Sequence, residues 1–171
     1  MQGNIITVNG VTPKFGKNVF IANNATLTGS IVMGDDCSVW FQVVIRGDVN
    51  NIIIGNKVNI QDGAVIHGTI GRGDTILEDN VSIGHRAIIH GCHIKQNVLI
   101  GMGAIVIDDA IIESNVIVGA GSVVTQGMHL ESGYIYAGVP ARKIKAINQE
   151  QQEFYIQRTA DAYVKYASYY Q

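Results

Sequence analysis

The segment SIGHRAIIHGCHI, residues 82–94, carries His85, His90 and His93, three of the five histidines in the chain; His67 lies upstream and His129 downstream. Neutral imidazole is the commonest metal-ligating side chain. Three histidines with a water in the fourth position are the pattern of a catalytic rather than a structural zinc site. Histidines that merely decorate a wet surface would carry no such chemistry. The two readings differ in where each ring points, and the rhythm of the backbone decides that.

Large aliphatics recur at intervals of six. They run Ile21, Leu27, Met33, Val39 and Ile45, then Ile54, Ile60 and Ile66, then Leu77, Ile83 and Ile89, and finally Ile94, Ile100, Val106, Ile112 and Val118. Four residues after most of these stands a small or β-branched residue, as at Ala25, Cys37, Val43, Val58, Ala64, Val81, Ala87, Val98, Ala104, Ala110, Val116 and Ser122. Turn formers such as GDD, EDN, KQN and ESN fill the gaps. A period of six matches neither a helix nor a hairpin meander, but it is a known β-helix repeat. An alternating β-sandwich would show a period of two instead. Twenty glycines against two prolines agree with many short strands and tight turns.

The expected fold is therefore all-β with a C-terminal helix: a parallel β-helix over residues 1–147, in which the segment before Phe20 caps one end. After AGVPARKIK the sixes disappear. Phe154, Ile156, Ala160, Tyr163, Val164 and Ala167 then approximate helical spacing, which predicts an amphipathic helix within residues 148–171, packed on the β-helix or on a neighbouring chain. Its mixed charges argue against a membrane-surface helix.

Composition narrows the function. With 171 residues, 47% hydrophobic and 15% charged, the chain can bury a sizeable core. A net charge of −2 without a basic stripe argues against a nucleic-acid partner. No apolar run approaches the ~18–20 residues of a membrane span. The opening MQGNIITVNG has no secretory pattern, so the expected location is cytoplasmic. Cys37 and Cys92 are too few for a disulfide framework and are read as reduced, space-filling residues.

Three hexads per coil return every third hexad to the same flat face. Counting from Ile54, the hexads of Ile54, Ile60 and Ile66 make faces one, two and three, and those of Leu77, Ile83 and Ile89 repeat the cycle. The extra residues TIGRGD bulge at a corner. His67 and His90 each follow a face-three aliphatic by one place, so they stack on adjacent coils about 4.8 Å apart. His85 follows Ile83 by two places and lies around a prism edge. One chain thus offers two stacked rings, and a threefold ring of chains could bring His85 to the His67 and His90 of a neighbour. Spacing alone leaves the decorated corner open as the other reading. His93 and His129 share no position with the rest and are read as surface residues.

Several motifs together resemble the γ-class carbonic anhydrases: RGD at 46–48, NIQDGAVIH at 59–67, GHRAIIH at 84–90 and the C-terminal AGVPARKIK. The resemblance spans nearly the whole chain. It implies a left-handed β-helix assembled as a homotrimer, with His67, His85 and His90 as metal ligands split between chains. It implies one Zn2+ per chain, with Fe2+ or Co2+ as alternatives, and CO2 and bicarbonate as substrate and product. Arg46 and Asp48 match a pair that joins neighbouring chains. Gln61 matches a residue that orients the metal-bound hydroxide and Asp62 one that assists it by hydrogen bonding, while Asn59 lies on the same coil. Tyr163 matches a tyrosine on the C-terminal helix of related bacterial proteins.

The chain also departs from that pattern. Val49 stands where the founding enzyme has a glutamate, and the loop after His67, GTIGRGDT, is short with only Asp74 acidic. Proton release is therefore expected to be slow or to take another route, with low activity. Two alternatives stand beside CO2 hydration. One is an acyl-CoA thioesterase or acyltransferase on the same fold. The other is a non-catalytic trimeric scaffold locked by metal.

Overall fold

A computed structural model of the chain describes residues 3–170. Met1 and Gln2 of the expected cap, and Gln171 of the expected helix, lie outside the described residues.

Each hexad forms a strand of two or three residues followed by a corner. Three residues past the column aliphatic, the backbone turns through a positive φ at Asp36, Lys57, Asn80, Asn97 and Asn115 on one edge, and at Gln42 and Arg86 on the next. Asn and Asp tolerate this region best among residues with a side chain, which explains the recurring polar corners. The coils pair in parallel. On face one Ile54 pairs with Leu77, Leu77 with Ile94 and Ile94 with Ile112. On face two Ile60 pairs with Ile83, Ile83 with Ile100 and Ile100 with Val118. On face three Ile45 pairs with Ile66, Ile66 with Ile89 and Ile89 with Val106. The molecule is a parallel β-solenoid whose interior is this column of stacked, fully buried aliphatics. The column runs beyond Val118, through Val124, Leu130 and Tyr136.

The edge between faces three and one is different. Strands Thr26–Met33 and Val44–Ile54 run continuously around it, which joins the two faces into one sheet. Along this edge the period breaks repeatedly. Residues are inserted between Ile45 and Ile54 and between Ile66 and Leu77, and one is missing between Ile89 and Ile94. Residues 68–74 form the expected corner loop. Asn50 holds it, its amide donating to the carbonyls of Thr69 (2.8 Å), Gly73 (2.9 Å) and Arg72 (3.0 Å).

At the N-terminus, strands Asn4–Ile6 and Lys14–Phe15 pair in parallel with Thr26–Met33, so this segment adds a first coil to the solenoid. At the far end Arg142–Ala146 returns antiparallel against Tyr134–Ala137. A capping box at Asn148 then starts a helical segment that continues to Tyr170, with a π-helical turn over Gln152–Gln157. The helix lies back along face two, against the strands of Ser38–Val39, Asn59–Ile60 and Val81–Ile83. Ile156, Ala160 and Ala167 form its buried stripe, with Tyr163 and Val164 half-buried. Phe154 corrects the sequence expectation: it is 50% exposed, because two residues before Ile156 on a helix is nearly the opposite side. Trp40 receives Tyr163 and Tyr170 edge-on, with centroids 5.3 and 5.6 Å away, and Lys57 pairs with Asp161. Among the described residues no helix is long and apolar enough to cross a membrane.

Two outcomes follow from this packing. Ile100→Ala opens a cavity in the closed column and should lower the unfolding free energy by about 2–5 kcal/mol in urea titrations. Ile53→Ala, on an outer face and 41% exposed, should change it by no more than about 0.5 kcal/mol. The hydrogen bond from Lys57 holds the Asp161 carboxyl below its ordinary value. Its contribution is thus present above the usual aspartate pKa of about 3.9 and is lost as pH falls through the lowered value. Asp161→Asn should therefore be less stable than the wild type at neutral pH by up to about 1 kcal/mol, and thermal melts should show the gap closing in acid.

Candidate functional site

His67 ends strand Val65–His67 and His90 ends strand Ile88–His90, and the two are register partners on face three. Their rings meet edge to face with centroids 5.3 Å apart. Both sit at the irregular edge, where the corner geometry is free of the hexad constraint. His85 turns the opposite corner, after strand Val81–Ile83. Among the described residues of the single chain, no three or more His, Cys, Asp or Glu side chains converge to hold a metal.

Each histidine has an acidic partner. Asp108 Oδ2 lies 3.0 Å from His90 Nδ1, and Asp62 Oδ2 lies 2.9 Å from His85 Nδ1. The Nε2 atom of His85 meets the Tyr163 hydroxyl at 3.4 Å. At His67 the Arg46 guanidinium lies 3.3 Å from Nδ1 and Asp48 Oδ1 lies 3.0 Å from Nε2. Because a guanidinium only donates, His67 accepts at Nδ1 and donates from Nε2. Arg46 and Asp48 stand two apart on one strand, hence on the same side, and here pair with each other within the chain. Burial would raise the Asp48 carboxyl, but the hydrogen bonds from Arg46 and His67 outweigh it and hold the group below its ordinary value.

Asn59, Gln61 and Asp62 precede His67 on its coil, yet the chain turns a corner at Gly63 before reaching it. The structure groups these residues with His85 instead. Gln61 Nε2 donates to Asn59 Oδ1 (3.0 Å), and Asn59 Nδ2 donates to Ser82 Oγ (2.7 Å), a buried polar chain running across face two. Beside it opens a groove of about 510 Å³, floored by Leu99, Ile117 and Ile135 and reached by Gln61, His85 and Tyr163. Burial, followed by the charge of Asp62, pushes the Tyr163 phenol up to about 12, so it stays neutral.

One chain therefore carries two polar clusters on different edges. His67, His90, Arg46 and Asp48 form the first, and His85, Gln61, Asn59, Asp62 and Tyr163 form the second. The donor sets suit a metal. Carboxylates on Nδ1 of His85 and His90 fix those rings with Nε2 presented, as carboxylate–histidine–metal arrangements require. A metal on Nε2 would displace Asp48 at His67 and the Tyr163 hydroxyl at His85. Asp108 was not singled out from the sequence, where DDA reads as a turn. The face-three register sets Val106 over Ile89, so Asp108 falls opposite Gly91, one place past His90. His93 (to Glu78, 2.8 Å) and His129 (to Glu113, 2.8 Å) lie on face one, away from both clusters.

Residues 91–126 match the family described as bacterial transferase hexapeptide (six repeats). The chain is 51% identical over 149 residues to a probable carbonic anhydrase of Methanocaldococcus jannaschii, covering 87% of this chain and 92% of that one. It is 43% identical over 161 residues to a carbonic anhydrase of Geobacillus kaustophilus, covering 94% and 87%. The crystal structure of a hexapeptide transferase family protein from Anaplasma phagocytophilum superposes with a TM-score of 0.94 at 36% identity and covers both chains completely.

The two thiols stand apart from this chemistry. Both are free and buried, and burial pushes Cys37 up to about 11 and Cys92 up to about 12. At neutral pH the native protein should leave a thiol reagent such as DTNB unreacted, whereas the denatured chain should consume two equivalents.

Proposed function

The chain belongs to the γ-class carbonic anhydrase-like hexapeptide-repeat family, and we propose that it catalyses the reversible hydration of CO2 at metal sites shared between the chains of a left-handed β-helical homotrimer. The carrying observation is the division of the putting-together residues: two stacked imidazoles on one edge, the third imidazole with its polar retinue on another. A threefold ring that sets the His85 edge of one chain against the edge carrying His67 and His90 in the next joins the halves at every interface. The surfaces suit such contact. Face three presents an outward aliphatic ladder in register, Val44, Val65, Ile88, Ile105 and Val123, and face two presents the apolar groove.

Each site would hold one zinc ion, with ferrous iron or cobalt as substitutes, through His67 and His90 of one chain and His85 of its neighbour. A three-histidine metal supplies a water acidified toward a pKa of about 7, a magnitude measured on a carbonic anhydrase of another class. The protein's part is orientation. Asp62 fixes His85. Asn59 and Ser82 hold the Gln61 amide at the groove mouth, where it can orient the attacking oxygen. Arg46 and Asp48 stand beside His67, where a neighbouring chain would meet them. Tyr163 remains protonated beside His85. Two free, buried thiols suit a reducing, cytoplasmic setting.

Proton release is the weak step. Val49 cannot carry a proton, and Asp74 already accepts from the Asn51 backbone and side-chain amides at 3.1 Å. Turnover is thus low and limited by transfer to buffer.

The groove also favours a second reading, in which it takes the acyl chain of an acyl-CoA thioester. Stopped-flow CO2 hydration on zinc- or iron-loaded protein should show a rate that rises with buffer concentration and falls to the uncatalysed background in His67→Ala, His85→Ala and His90→Ala. A metal-loaded wild type that leaves CO2 untouched but hydrolyses acyl-CoA would establish the second reading instead.

A further inference from the structure

We infer that Asp108 is the positioning residue of the metal ligand His90, and that the shortened corner at Gly91 exists to admit it; this deepens the metal reading above and rests on it. Asp108 is among the most enclosed carboxylates of the chain, its side chain only 11% exposed. A buried carboxylate is costly unless it is paired or hydrogen-bonded. Its Oδ2 reaches His90 Nδ1 at 3.0 Å, and no hydrogen bond of normal geometry reaches Oδ1 among the described residues.

The backbone yields to this carboxylate. Face-three register sets Val106 over Ile89, which places Asp108 above the corner that follows His90. That corner is one residue short of the hexad, and it turns through Gly91 at φ +54. A Cβ on Gly91 would stand 2.3 Å from Asp108 Oδ1. The missing residue, the glycine and the buried aspartate thus have one common explanation. The other ligand carboxylate differs: the His85 and Asp62 side chains are each 43% exposed, so water can replace that contact. Water cannot readily replace Asp108. The result is a His90 held in the tautomer with its proton on Nδ1, with Nε2 directed outward beside His67.

The test is zinc affinity, measured by chelator competition on the assembled protein, together with 15N NMR of His90. Asp108→Ala should weaken zinc binding about 10–100-fold, and Asp108→Asn, which keeps an acceptor, should recover part of the loss. Glu78→Ala, which removes the corresponding partner of His93 on face one, should leave affinity unchanged. In the metal-free wild type at a pH where His90 carries a single ring proton, that proton should sit on Nδ1. Undiminished affinity in Asp108→Ala, beside a zinc-binding wild type, would overturn this inference while leaving the metal site standing. A wild type that binds no zinc would instead overturn the metal reading and this inference with it. If Asp108→Ala fails to fold, the wild-type tautomer decides: a proton on His90 Nε2 would contradict the assignment.

Discussion

Ile66 buries its side chain by stacking on Ile45 below and Ile89 above, and the same holds for each aliphatic along the three columns. Because strand neighbours lie about 4.8 Å apart and side chains alternate between inside and outside, that stacking fixes the direction of everything around it. One place past Ile66 and Ile89, His67 and His90 are obliged to lie one above the other. Two places past Ile60 and Ile83, Asp62 and His85 are obliged to meet at a corner. The aliphatic column is thus both the core and the ruler that positions the polar chemistry.

The departures from the ruler are concentrated at the edge that carries His67 and His90. Corners that follow the hexad closely turn at positive φ, most often through Asn, Asp or Gly, and those after Ile60 and Ile83 carry Asp62 and His85 with no change of length. The edge that holds His67 and His90 instead gains residues at two levels and loses one at a third. Those changes supply the continuous strand that carries Arg46 and Asp48, the loop anchored by Asn50, and the opening at Gly91 that Asp108 fills. Natural sequences break local rules mainly at functional sites, and here the breaks line up along one edge of the prism.

Much of this was legible in the sequence because the repeat is short and its interior positions are large aliphatics. Once three hexads per coil are assumed, the return of every third hexad to one face and the pairing of His67 with His90 follow from counting. What escaped depended on features that counting does not carry. Gln61 precedes His67 by only six positions but belongs with His85, since the chain turns a corner between them. Phe154 looks like a helix core residue by type, yet its angular position places it in solvent beside Arg158. Asp108 reads as half of a turn until the missing residue after His90 is noticed. The end of the column at Tyr136 escaped because glycines and polar residues surround Val124 and Leu130.

The central claim is that a working site takes residues from two chains, and mixing two defective chains tests it most directly. His85→Ala lacks one half-site, and the double variant His67→Ala with His90→Ala lacks the other. Co-expressed in equal amounts and purified together, they should form mixed rings in which one interface of three is intact, so bound zinc should return to about a quarter of the wild-type amount. A mixture that binds no more zinc than either variant alone would contradict a site shared between chains.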